Sequence, residues 1–402
     1  MSNKKYYFTK KKFIIFGIIL LILLISLIFS NKIEKLINEK LLNNTKNEIY
    51  TDGLEVHFIN VGQGDSIVIK LPDNKNLLID AGPGSNSNDL ITYLQNVYFK
   101  DKANKNIDYF ILTHSDEDHI GGAPLVFSTF EILNVYRPQI FTKEESDALG
   151  GGVKVKDTKI YKSTIQAIND EGSNVIYNEA GNIISSTKSD VSFSLEFLSP
   201  LSDDYTDVNN FSPLILLTFK DTKFMFTGDA ETEVENEVLE KYSKEKLDID
   251  ILKVGHHGSN TSSSINFLKT LTPTISVIEV GKDNKYGHPT EKTLTSLKEV
   301  GSKIYRTDIN NNIVISVSLS GNLGVMIDNQ EIFYVKYYYV VISLTVVIFV
   351  FIFTIPVKKS KNNKKGNDVE NNKKSNSNKN FKSNNKKVKK NINKIIKDLN
   401  SN

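Results

Sequence analysis

The hydrophobic pattern divides the chain into two apolar runs and a long alternating body between them. Residues 13–30, FIIFGIILLILLISLIFS, form eighteen consecutive positions without a charge, preceded by Lys10, Lys11 and Lys12. At 1.5 Å rise per residue that length just crosses a hydrocarbon core. A removable secretory signal has a similar layout, but the run is long for its apolar region and no small-residue cleavage site follows, so it reads as an uncleaved anchor. Residues 337–357, YYYVVISLTVVIFVFIFTIPV, open on tyrosines suited to a membrane interface and are followed by Lys358 and Lys359. They predict a second span, since a buried strand pair of this length would need a turn signal.

Residues 31–52 carry a helical pattern, IEKLINEKLL, and then polar positions, which suits a stalk. From residue 53 to about 330 short apolar segments alternate with helical spacing. LEVHFINVG, DSIVIKL, NKNLLIDAG, IDYFILTH, LILLTF, KFMFTGD, IDILKVG and TISVIEVG predict strands. NDLITYLQNVYF, APLVFSTF, ETEVENEVLEKY and INFLKTL predict helices among them, so the body is α/β. The stretch 141–190 reads as irregular.

Charge sharpens this division. The whole chain carries +3, but residues 1–12 contribute +5 and residues 358–402 contribute +12, so the chain between them holds −14. The positive-inside bias then places both termini in the cytoplasm and residues 53–330 outside the cell, with the protein in the cell membrane. The Lys- and Asn-rich tail 358–402 has almost nothing to bury and is expected to be disordered, with anionic inner-leaflet lipid as its natural partner. The chain has no cysteine. Disulfides, thiolate catalysis and Cys-based metal sites are therefore excluded, and any metal must rest on His, Asp and Glu.

Five of the six histidines lie in three short loops, each near the end of a predicted strand. His114-Ser115-Asp116-Glu117-Asp118-His119 is followed by Gly121-Gly122 and puts four potential ligands in six residues. Burying two imidazoles and two carboxylates together without a cation carries a large desolvation cost. His57 stands alone in a strand and reads as structural.

This loop resembles the His-x-His-x-Asp-His motif of the metallo-β-lactamase superfamily, with Asp116 where the second His would be. Leu78-Ile79-Asp80-Ala81-Gly82 and Thr227-Gly228-Asp229 resemble two further motifs of that family. The Asp116 variant points more narrowly to the extracellular metallo-β-lactamase-like domain of ComEC competence DNA-uptake proteins. Phe58 to Ser66, Lys253-Val254-Gly255-His256-His257-Gly258-Ser259, Tyr286-Gly287-His288-Pro289 and Tyr305-Arg306-Thr307-Asp308 resemble that domain in the same order. The similarity covers about residues 54–320, and the many-span channel domain is absent.

The resemblance implies a four-layer α-β-β-α metallo-β-lactamase sandwich flanked by two transmembrane helices. It implies two divalent metal ions, Zn or Mn: His114 and Asp116 on one, Asp118 and His119 on the other, Asp229 bridging, and His256 as the last ligand with His288 as its rival. The family's third-motif His has no counterpart between His119 and Asp229, and the oxygen-rich first site shifts preference toward Mn. Asp118, His257 and His288 are the catalytic candidates. Lys253, Asn210, Ser212 and His288 are the substrate contacts, with Lys285 a further positive charge nearby. Asp80 and Asp65 are expected behind the site, holding backbone N–H groups and orienting ligands.

The activity implied is phosphodiester hydrolysis outside the cell by a hydroxide formed between two metals, as a nuclease or phosphodiesterase. Nucleic acid or another phosphodiester is the expected partner, beside membrane lipid and DNA-uptake or cell-envelope proteins. Two other readings stay open: a phosphodiesterase of cell-surface polymers, and a metal-bound DNA-binding module without turnover.

Overall fold

The computed structural model describes residues 49–327, apart from 103, 187, 189 and 190. The basic N-terminus, both expected spans, residues 31–48 of the stalk and the basic tail lie outside the described residues. Among the described residues no helix is long and apolar enough to cross a membrane.

The first half of the domain runs β1 (Leu54–Phe58), β2 (Ile67–Lys70), β3 (Asn76–Ile79), α1 (Ser87–Tyr93), β4 (Ile107–Ile111), α2 (Glu117–Ile120), α3 (Ala123–Thr129), β5 (Ile132–Arg137), α4 (Lys143–Ala148), α5 (Lys159–Glu171) and β6 (Asn174–Tyr177). The second half runs β7 (Ile183–Ser186), β8 (Phe193–Phe197), β9 (Ile215–Phe219), β10 (Thr222–Phe226), α6 (Thr232–Lys241), α7 (Lys244–Leu247), β11 (Ile251–Lys253), α8 (Ile265–Leu271), β12 (Ile275–Ile278), α9 (Glu291–Glu299) and β13 (Lys303–Arg306). It closes with α10 (Thr307–Asn310), β14 (Ile313–Val317) and β15 (Leu323–Ile327).

These strands form two sheets, one ordered β15-β14-β1-β2-β3-β4-β5-β6 and the other β13-β12-β11-β10-β9-β8-β7. The last two described strands return to the first sheet, where β14 pairs with β1 and β15 with β14. Pairing is parallel from β3 to β6 and from β10 to β13. Parallel neighbours need a crossover, and most of the helices serve as those crossovers.

Alternation along each strand divides the core into layers. In β2 and β3, Ile67, Ile69, Leu77 and Ile79 join Ile215, Leu217, Phe224 and Phe226 of the other sheet in one buried cluster between the sheets. The intervening Val68, Leu78, Leu216 and Met225 belong instead to the cluster that holds the helix residues Leu90, Phe127, Ile165, Val234 and Phe267. Helices therefore cover the outer face of each sheet, in the expected order helix, sheet, sheet, helix.

The expectation of irregular structure over 141–190 is corrected. α5 spans thirteen residues there, capped by the Thr158 side chain and stopped by Gly172 in the left-handed region. Its buried face is Tyr161, Thr164, Ile165 and Ile168. That stripe has helical spacing, but four charged residues and the polar Ser163, Thr164, Gln166 and Asn169 dilute it.

Candidate metal centre

The parallel strands of both sheets point their carboxyl ends at one crevice, the place where α/β sheets collect functional side chains. Asp80 follows β3, His114 follows β4, Asp229 follows β10, Lys253 ends β11 and Glu279 follows β12. His119 rides on the single-turn α2, and the β1–β2 loop contributes Asp65.

Asp65, His119, Asp229 and His257 are all buried and can each offer one ligand atom within 4.8 Å of the others. His119 Nε2 lies 3.3 Å from Asp229 Oδ1 and 3.3 Å from His257 Nε2. His257 Nε2 also faces Asp229 Oδ2 at 3.5 Å and Asp118 Oδ2 at 3.4 Å. The outward nitrogens are held from behind. His119 Nδ1 is 2.7 Å from Asp80 Oδ2, and His257 Nδ1 is 2.9 Å from the Glu279 carbonyl and 3.1 Å from Asp65 Oδ1. Asp80 in turn accepts from Thr113, through the backbone N–H at 2.8 Å and the hydroxyl at 2.6 Å.

The backbone is strained where it presents these groups. Asp80, His256 and His257 adopt φ of 55°, 49° and 52°, a left-handed conformation that costs a non-glycine residue on the order of 1 kcal/mol. Gly64, at φ 149°, lets the Asp65 segment pass against α2, where Asp65 N–H donates to Asp118 O at 3.2 Å. A Cβ on Gly64 would drive into that same carbonyl oxygen. Gly64→Ala is therefore expected to lower unfolding stability by about 1–3 kcal/mol, read as a lower urea midpoint.

The charged groups in the crevice are buried against one another. Burial opposes ionisation of His119, yet the carboxylates of Asp229, Asp80 and Asp65 hold its pKa well above the imidazole range. His257 is pushed up to about 10, with burial opposing and Asp229 and Asp65 prevailing. Burial also opposes the charge on Asp65 and Asp229, but the cations around them keep both carboxyls below their ordinary range.

The remaining expected residues are placed as follows. His114 is buried; its Nδ1 meets Thr113 Oγ1 at 3.0 Å and Ser212 Oγ at 3.3 Å, while its Nε2 has no hydrogen-bond partner. Asp118 stands beside His257 as given above, whereas Asp116 turns its carboxylate to Lys156 Nζ at 2.8 Å. His256 is partly exposed, with Nε2 3.6 Å from Asp229 Oδ2 and Nδ1 near Thr261 and Glu231, and lies outside the group of four. His288 is half-buried at the rim, its ring 5.8 Å from that of His256.

Three expected substrate contacts are corrected by burial. Lys253 is 1% exposed, and its ammonium pairs with Asp65 and donates to Gly228 O at 3.2 Å. Ser212 is buried between His114 and the Asp229 N–H. Asn210 spends its amide inside the wall, donating to Glu233 at 2.6 Å and accepting from Glu231 N–H at 3.0 Å. None of the three is free to reach a substrate. His257, expected at the phosphate, turns Nε2 to the centre of the cluster, whereas Asp65 meets His257 Nδ1 from behind, as expected, while also lying within 4.8 Å of the other ligand atoms.

Glu279 was missed. It is fully buried, Oε1 accepts from Ser66 N–H at 3.0 Å, and burial beside Asp65 holds its carboxyl well above the usual range. A lone Glu in the apolar strand TISVIEVG was the available signal.

The donor set fits a divalent cation. Two imidazoles and two carboxylates converge in a buried crevice, the buried His114 Nε2 has no hydrogen-bond partner, and each inner imidazole is oriented through its other nitrogen, as metal-binding histidines usually are.

Residues 59–281 match the Metallo-beta-lactamase superfamily. The chain is also similar to ComE operon protein 3 of Bacillus subtilis, 31% identical over 64% of this chain and 32% of that protein. Competence protein ComA of Neisseria gonorrhoeae is 27% identical over 65% of this chain and 32% of its own length. Recombination protein 2 of Haemophilus influenzae is 24% identical over 65% of this chain and 29% of its own. The chain thus spans about a third of the length of the curated relatives it matches.

Proposed function

Because the chain belongs to the metallo-beta-lactamase superfamily, we propose that it is a metal-dependent hydrolase of phosphodiesters, tethered to the cell membrane with its catalytic domain outside and nucleic acid as its substrate. The observation that carries this reading is the buried convergence of Asp65, His119, Asp229 and His257 at the carboxyl ends of the strands, beside the orphaned His114 Nε2. The similarity to competence proteins favours DNA over other phosphodiesters.

His119, Asp229, His257 and Asp65 would hold a first divalent ion, Zn or Mn. His114, Asp118 and the partly exposed His256 are the candidates for holding a second. Bound ions supply Lewis-acid charge for the phosphate oxygens and lower the pKa of water. The protein's own part is preorganisation. Asp80 holds His119 Nδ1 and the Glu279 carbonyl holds His257 Nδ1, so both rings keep Nε2 aimed inward without reorganisation during turnover. Lys253 offsets the negative charge of Asp65 from the dry side, leaving the open side to the substrate. Asp118, more exposed than His257, stands beside it on the open side and stays ionised, because, with burial opposing, His257 and His119 hold its carboxyl well below the usual range.

The full chain in detergent should hydrolyse bis(p-nitrophenyl) phosphate with Mn or Zn, lose turnover to a chelator and regain it on metal return. Asp118→Ala and His119→Ala should each lower turnover by at least about a hundredfold. Tight DNA binding with bound metal and no turnover would overturn the hydrolase in favour of a binding module. Turnover confined to isolated cell wall would move the substrate to surface polymers.

A further inference from the structure

The loop after β12, residues 281–290, builds a feature that the metal-ligating cluster does not need. Tyr286 is 55% exposed, yet its position is fixed. The Asn284 side chain accepts from the N–H groups of Tyr286 at 3.2 Å and His288 at 3.0 Å, and donates to the carbonyls of Gly281 at 3.0 Å and His288 at 2.6 Å. The Tyr286 ring lies nearly parallel to His288, centroids 5.9 Å apart at 17°. His288 meets His256 at 5.8 Å, and His256 Nε2 is 3.6 Å from Asp229. A file of three rings therefore leads from the metal-ligating cluster to an exposed aromatic face.

That face borders a groove of about 620 Å³ shared with Asp116, Asp118, Lys285, Gln63 and Asn86. Lys285 Nζ sits 5.0 Å from the Tyr286 centroid. Gln63 accepts from Gly281 N–H at 3.1 Å, while its Nε2 is buried without a partner. The groove thus offers a flat π face, one cation and an unspent amide donor next to the carboxylates at the mouth of the centre. A base one sugar away from a phosphate matches that set. Aromatic stacking is worth about 1–3 kcal/mol per base and tolerates any base. It requires an unpaired base, and a net charge of −14 over residues 13–357 gives a duplex backbone no general electrostatic attraction.

We propose that Tyr286 is the stacking platform for an unpaired nucleobase next to the phosphodiester at the metal centre, which makes the substrate class single-stranded nucleic acid. This rests on the hydrolase reading above. The test uses the full chain in detergent with Mn and two strands of equal length: a single-stranded oligodeoxynucleotide carrying 2-aminopurine, and a strand of abasic tetrahydrofuran units with the same phosphates.

Wild-type protein should quench the 2-aminopurine fluorescence, Tyr286→Leu should weaken that binding about tenfold, and Tyr286→Phe should restore it. In cleavage, the loss caused by Tyr286→Leu on the base-bearing strand should exceed its loss on the abasic strand by about tenfold and reside in KM. Equal losses on both strands, or quenching indifferent to Tyr286→Leu, would overturn the platform. Quenching that depends on Tyr286 without cleavage of either strand would retain the platform and reject the hydrolase. Absence of base quenching, with Tyr286→Leu lowering release from isolated cell wall, would assign the ring to a sugar and overturn the proposal.

Discussion

Asp229→Asn is expected to lower bound metal below two ions per chain and to cut phosphodiester turnover by about a thousandfold, which is ~4 kcal/mol of transition-state stabilisation. Its two carboxylate oxygens divide the cluster between them: Oδ1 faces His119, while Oδ2 faces both His257 and His256. No other described carboxylate touches three imidazoles. Asparagine keeps the shape and the contact between the backbone N–H and Ser212 Oγ, so the fold should survive, but it removes the negative charge and one acceptor. Elemental analysis beside a turnover assay checks this. Two retained ions would sink the bridging assignment even if activity fell.

The second large effect separates two neighbouring histidines. His257→Asn should remove metal and at least about a hundredfold of turnover, whereas His256→Asn should cost no more than about tenfold. Asparagine is chosen because both positions lie in the left-handed region, which it tolerates better than most residues. His257 is 1% exposed and its Nε2 faces His119, Asp229 and Asp118; His256 is partly exposed and divides its contacts among Asp229, Thr261 and Glu231. Metal content and turnover of the two variants in parallel decide the ranking. A reversed order would return the last ligand to His256, as the motif comparison alone suggests.

That contrast marks where the one-dimensional pattern stops being informative. In Lys253 to Ser259 the two histidines are chemically identical, and only the backbone turn decides which imidazole enters the crevice. Consecutive positive φ values at residues 256 and 257 rotate the second ring inward and leave the first at the rim. Lys253 illustrates the same gap. A lysine at a strand end beside glycine and histidine looks like a phosphate contact, but the strand buries it completely and Asp65, nearly two hundred positions earlier, neutralises it.

Local pattern by itself determined the alternation of strands and helices, the absence of any thiol chemistry, the concentration of histidine at strand ends and the superfamily, because each depends on residue type at short spacing. It failed over 159–171, where a helix with a sparse apolar stripe passed for loop. Tertiary structure alone decided that His257 faces the cluster and Asp65 joins it from behind, that Asn210, Ser212 and Lys253 lie inside its wall, that Glu279 is buried against it, and that Tyr286 stands at its mouth. Those outcomes depend on two sheets from distant segments bringing their carboxyl ends together, and on the burial that this meeting imposes on each side chain.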